Sequence, residues 1–128
     1  MRNGCYIICF FCAALCLTAC AGTGVKFDGS RTGNDSQLIM EYEMFDTTDS
    51  QTLVLQAGDS IHADITVDSG ALSIIIQKDD DTSVYEGEGI LSSGSFDVVI
   101  EEDGEYTVTV TGEKTKGGVS FVRVAPQG

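Results

Sequence analysis

Apolar side chains recur at every second position from residue 37 onward, and this period constrains the fold of the 128-residue chain more than any other feature. Ile61, Ala63, Ile65 and Val67 alternate with His62, Asp64 and Thr66. Successive side chains of a β-strand point to opposite faces, so such a run reads as a strand with one buried and one wet face. Leu38, Met40, Tyr42 and Met44 follow the same rule against Glu41 and Glu43, and Leu53 with Leu55 and Leu72-Ile74-Ile76 continue it. Phe96, Val98 and Ile100 alternate with Asp97, Val99 and Glu101; Tyr106, Val108 and Val110 alternate with Thr107, Thr109 and Thr111, the β-branched residues that suit a wet sheet face. A weaker, glycine-interrupted run links Val84-Tyr85 to Ile90-Leu91, and Val119 to Val124 forms the last strand.

Turn chemistry separates these runs at Asp46–Ser50, Gly58-Asp59, Asp68-Ser69-Gly70, Asp79-Asp80-Asp81 and Lys116-Gly117-Gly118. Asp103-Gly104, between two alternating runs, carries the strongest hairpin signal and predicts that 96–100 pairs with 106–110. About eight short strands without a 3.6-residue apolar period predict an all-β, antiparallel β-sandwich of jelly-roll or immunoglobulin-like type over residues 37–125. The lone proline, Pro126, leaves every earlier segment free to join a sheet. Ile75 breaks the polar face of its run and is expected to be covered on both sides, while Phe45 and Tyr85 are the aromatics expected to be exposed.

The first 19 residues are of another kind. Arg2 precedes an uncharged apolar run from Tyr6 to Leu17, shorter than the ~20 residues a spanning helix needs. This reads as a helical signal peptide over 1–19. All five cysteines fall within the first 20 residues, so their spacing belongs to the leader and not to a metal site. Leu17-Thr18-Ala19-Cys20 resembles a bacterial lipobox. The resemblance implies cleavage after Ala19 and a covalent diacylglycerol on Cys20, which would hold the protein on the extracytoplasmic face of the cell membrane. Residues 20–36 then read as a flexible Gly/Ser/Thr/Asn/Asp tether, with a short edge strand over Val25 to Asp28 as the competing reading.

Charge narrows the choice of partner. Twenty acidic against seven basic residues give a net charge of −13. Such a field repels phosphate backbones, so no nucleic acid is expected as a partner. His62 is the only histidine and falls on an outward phase, where a surface role is expected over catalysis. Asp79, Asp80 and Asp81 are the one cluster of hard oxygen ligands that could take calcium, yet an EF-hand loop begun at Asp79 would need Gly at position 84 and Glu at position 90, where Val84 and Ile90 stand. A solvated turn is the expectation there. Glu41 with Glu43, and Glu101-Glu102-Asp103, are paired carboxylates that read as solubilising charge rather than as an acid/base couple across a cleft.

With Tyr42, Gly58-Asp59, Ser69-Gly70, Tyr85, Gly104–Gly112 and Gly118-Val119-Ser120-Phe121, the chain resembles small uncharacterised bacterial lipoproteins, a resemblance that implies no activity. Its strand rhythm is also similar to that of β-sandwich domains appended to secreted bacterial peptidases. Glu102-Asp103-Gly104-Glu105-Tyr106 resembles the tyrosine corner of sandwich folds, in which the hydroxyl bonds nearby backbone. The expectation is a monomeric, non-catalytic, lipid-anchored binding or structural module of the cell envelope. It needs no cofactor and meets the membrane through its anchor and an unknown envelope protein or ligand through its domain. A calcium-binding surface domain and an accessory or carboxylate-based envelope enzyme are the alternatives.

Overall fold

The computed structural model describes residues 26–79 and 83–126. The lipobox residues Leu17, Thr18, Ala19 and Cys20, and Asp80 and Asp81, lie outside them. Seven strands run in order: β1 (Phe27–Asn34), β2 (Gln37–Phe45), β3 (Thr48–Leu55), β4 (Ser60–Lys78), β5 (Ser83–Ile90), β6 (Gly94–Val99) and β7 (Gly104–Val124). All pairings among them are antiparallel.

The two long strands organise the rest. β4 and β7 pair continuously from Ser60↔Val124 to Lys78↔Tyr106, with register shifts only around Ser69. Each therefore serves two sheets, its halves lying on either side of a corner. The first half of β4 and the last half of β7 form one layer with β1, β2 and β6. The other halves form the second layer with β3 and β5. Counted by halves, from β2 to the end of β7, the first segment pairs with the last and the second with the second-last, and so inward to β4 with β5. One long hairpin wrapped on itself in this way is a jelly-roll, which decides between the two sandwich types expected. β1 adds an outer strand beside β2.

The alternation in the sequence maps onto the interior. Ile61, Ala63 and Ile65 from one layer and Leu72, Ile74, Ile76, Val108 and Val110 from the other belong to one apolar core. Burying an isoleucine, leucine or valine side chain stabilises by roughly 1.5–3 kcal/mol.

Several expectations are corrected. Asp68-Ser69-Gly70 and Lys116-Gly117-Gly118 do not reverse the chain; they are the corners of β4 and β7, so four expected strands become two. Gly70 (φ +81°) and Gly117 (φ +146°) supply backbone angles closed to most L-residues. Between them the wholly buried Thr115 accepts a hydrogen bond from the Glu113 N–H and donates one to the Ala71 carbonyl, tying the corners together. Asp103-Gly104 is not a hairpin turn: β6 pairs with β4 and β7 with β3, so this connection crosses from one layer to the other. The sheet also begins within the expected tether. β1 forms although seven of its eight residues are exposed, because its contribution is a backbone ladder with β2 rather than buried surface. Phe45 is wholly buried, since the irregularity between Tyr42 and Phe45 shifts the alternation by one and brings both rings inside, 4.9 Å apart. Ile75 is 38% exposed on the outer face of the second layer, between Thr109 and Glu86.

Two buried tyrosines make a matched pair. The Tyr106 hydroxyl donates to the Glu102 carbonyl at 2.6 Å, the bond of a tyrosine corner. The Tyr42 hydroxyl is buried and has no hydrogen-bond partner among the described residues, and burial pushes its pKa up to about 12. The same deletion should therefore have opposite signs. Tyr106→Phe is expected to lower unfolding stability by about 1 kcal/mol, and Tyr42→Phe to leave it unchanged or raise it by about as much. Urea unfolding of the two variants beside wild type checks this.

Candidate functional site

The two flanks of the sandwich, where its layers meet solvent edge-on, are built differently. On one flank β1 and β3 approach each other, and Arg31 closes the gap. Its Nε donates to Asp49 Oδ2 at 2.7 Å, and its Nη2 to the Ser50 carbonyl at 2.9 Å and to Gln51 Oε1 at 3.1 Å. Val54 N–H adds a backbone bond to the Asp35 carbonyl at 2.8 Å. A charge aimed inward from an edge strand is a known protection against pairing with other chains.

The opposite flank is open. β5 edges one layer and β6 the other, and among the described residues each pairs only with β4. Tyr85 and Phe96 stack across the gap, with ring centroids 4.2 Å apart and planes 18° from parallel. Beyond this plug, away from the corners, lies a cleft of about 710 Å³. That volume lies within the range of small-ligand sites.

The lining is amphipathic. Val98, Ile100 and the Tyr85 ring give apolar wall, and Val84 (44% exposed) and Val99 (64% exposed) add exposed apolar surface to it. Asp97, Glu101, Glu102, Lys78 and Tyr106 complete it. Lys78 Nζ lies 3.2 Å from Asp79 Oδ2 and 3.8 Å from Glu102 Oε1. The bond to Asp79, with the fields of Asp79 and Glu102, holds its ammonium protonated above the usual lysine range. Burial raises the Tyr106 phenol, with the nearby Lys78 ammonium opposing. The lining carboxylates with partners remain wet: the Glu102 side chain is 76% exposed and that of Asp97 is 62% exposed. A carboxyl group poised as a general acid needs a desolvating pocket, which these positions do not provide.

The residues singled out from the sequence fall in several places. Cys20 and the lipobox are outside the described residues, as are Asp80 and Asp81; Asp79 faces Lys78 at the rim of the cleft. His62 is on the outer face of the first layer, with Nδ1 2.7 Å from Asp97 Oδ1 and Nε2 3.2 Å from Asp64 Oδ2. The bond to Asp97 is the main reason its pKa is raised, and the imidazolium so favoured ties β4 to the edge strand β6. Glu41 and Glu43 lie beside a smaller groove, of about 340 Å³, that passes over Gly117 and Gly118; Lys116 Nζ sits there 3.3 Å from Glu43 Oε1. Glu101 and Glu102, expected only to solubilise a hairpin, are instead brought to the cleft. Sequence reasoning missed Lys78, Val84 and Val99. The available signal was a valine standing twice on a wet phase, opposite Tyr85 and beside Val98.

No protein-family model and no curated protein matches the chain. A solved structure described as "CBM4 structure and function" is similar in fold, with 15% identity, a TM-score of 0.44, and coverage of 84% of this chain and 83% of that one.

Proposed function

We propose that this protein is a non-catalytic binding module of the cell envelope, lipid-anchored through Cys20 and working through the cleft between β5 and β6. The observation that carries the reading is the contrast between the flanks. One is closed by Arg31 and a backbone bond, while the other exposes Val84 and Val99 around a cavity of ligand size. Exposed apolar side chains gathered around a concavity mark binding surfaces.

The anchor and the cleft are compatible in space. Lys26, the first described residue, enters at the corner end of the sandwich, where Phe27 pairs with Phe45 and Phe45 with Thr115. Six residues beyond Cys20 reach at most about 20 Å. A lipid on Cys20 would then hold the corner end within about 20 Å of the membrane surface. The cleft lies toward the other end, with Lys78, Ile100 and Glu102.

Two measurements test the proposal. Cys20→Ala should move the protein from the membrane fraction to the soluble one, or leave it unprocessed, and abolish labelling by a palmitate analogue. Unchanged partitioning with no label on wild type would contradict the anchor. A photocrosslinking residue at Val99 should capture a discrete partner on intact cells, and the same residue at Thr109, on the outer face of the second layer, should not. Equal capture from both positions would contradict the cleft.

A further inference from the structure

The cleft also indicates what kind of ligand it would take. Its wall is aliphatic and aromatic, so the ligand needs apolar groups. Glu101 and Glu102 line it together with Asp97, which His62 holds from the outer face; Asp103 and Glu105 follow close by in the chain, and the lining cation among the described residues, Lys78, is already paired with Asp79 and Glu102. The ligand therefore needs positive charge. The third requirement comes from the backbone: among the described residues β5 and β6 each have a strand partner on one side only, so outward-facing N–H and C=O groups run along both lips of the cleft. An extended chain can satisfy such groups by joining the sheet as a further strand, with alternate side chains entering the pocket.

We propose that the cleft binds an extended cationic peptide segment of a partner protein, which pairs with the open edge of β6, sets an apolar side chain between Val84 and Val98, and places lysine or arginine against Glu101 and Glu102. This rests on the cleft being the binding site. The closed flank provides the contrast, since β1 and β3 spend Arg31 and the Asp35–Val54 bond on the edge that β6 leaves free. The charge pairing steers the encounter and fixes orientation, while the apolar contact and the strand pairing hold the complex.

The test uses the mature lipidated protein in detergent micelles and short fluorescent peptides with blocked ends, read by anisotropy. A peptide alternating lysine and valine should bind, and its affinity should fall with added salt. A glutamate–valine peptide should bind at least about tenfold more weakly, as should the lysine–valine peptide N-methylated on alternate residues, which cannot complete a ladder. The Glu101→Gln/Glu102→Gln double variant, altered at solvated carboxylates, should lose about tenfold for the lysine–valine peptide while unfolding at the wild-type urea concentration. Equal binding of the glutamate and lysine peptides, of the N-methylated and parent peptides, or of variant and wild type would overturn the proposal. If the lysine peptide does not bind while Val99 still captures a partner on cells, the peptide assignment falls and the cleft stands. If neither occurs, both fall.

Discussion

A valine in place of Gly117 is expected to keep the domain from reaching its native fold. Gly117 has φ +146° at the corner of β7, and a Cβ there would stand inside contact distance of the Thr66 carbonyl oxygen and 2.8 Å from its carbon. Both obstructing atoms are backbone in the central ladder, where Thr66 pairs with Gly118 and Val67 with Gly117 itself, so neither can move aside without breaking the sheet. A branched side chain in a glycine-only conformation, pressed against backbone, costs more than about 4 kcal/mol. Small domains hold about 5–15 kcal/mol in all. Far-UV circular dichroism with urea unfolding reads the effect. Gly94→Ala is the control, since nothing among the described residues lies within 4 Å of a Cβ at Gly94, and it should shift stability by less than about 0.5 kcal/mol. A Gly117→Val variant that unfolds with wild type would mean that β7 does not turn its corner there.

Asp59→Ala is the second large effect. Asp59 is 1% exposed in the β3–β4 turn; its Oδ2 accepts from the Gln56 N–H at 2.8 Å and from Arg123 Nε at 2.7 Å. Removing the carboxylate leaves both donors without their acceptor at the end of β7, a loss of about 3 kcal/mol in urea unfolding. The bond from Arg123, followed by that from Gln56, holds the Asp59 carboxyl below the usual aspartate range. A depressed folded-state pKa adds stability above the unfolded value near 4, and that stability is lost as pH falls through the folded value. The gap between wild type and Asp59→Asn should therefore be widest near neutral pH and should close below about pH 4. A gap that persists unchanged to about pH 2 would assign the effect to shape rather than charge.

These corner and turn residues show how far the sequence could be read. Period two identified the buried face of Ile61–Val67, of Leu72–Ile76 and of Tyr106–Val110, because burial on one side of a pleated strand leaves that trace in composition. Pairing leaves no such trace. Gly70 and Gly117 look like turn residues whether a chain reverses or bends, and only the continuous β4–β7 ladder distinguishes the two. Asp103-Gly104 looks like a hairpin because both neighbours alternate, yet those neighbours belong to different layers. β1 escaped composition altogether, being held by backbone bonds with almost nothing buried.

The site was less legible than the fold. Its residues come from β4, β5, β6, the 100–102 connection and the start of β7, so no motif unites them. Val84 and Val99 were visible as apolar residues on wet phases, but their convergence depends on which strands are left at the edges. The open flank was invisible until Arg31 was seen closing the other, because an arginine in a polar, glycine-containing stretch reads as a solvated charge.

The most direct measurement of the cleft's role is thiol protection on living cells. Under the proposed cleavage after Ala19 and acylation of Cys20, a cysteine introduced after residue 20 would be the sole reactive thiol of the mature chain. Maleimide labelling of Val84→Cys and Val99→Cys should be at least about tenfold slower on intact cells than in the purified protein, as a partner bound there shields them. Thr109→Cys should show no such difference. Equal ratios at all three positions would contradict the assignment of the β5–β6 cleft as the binding site.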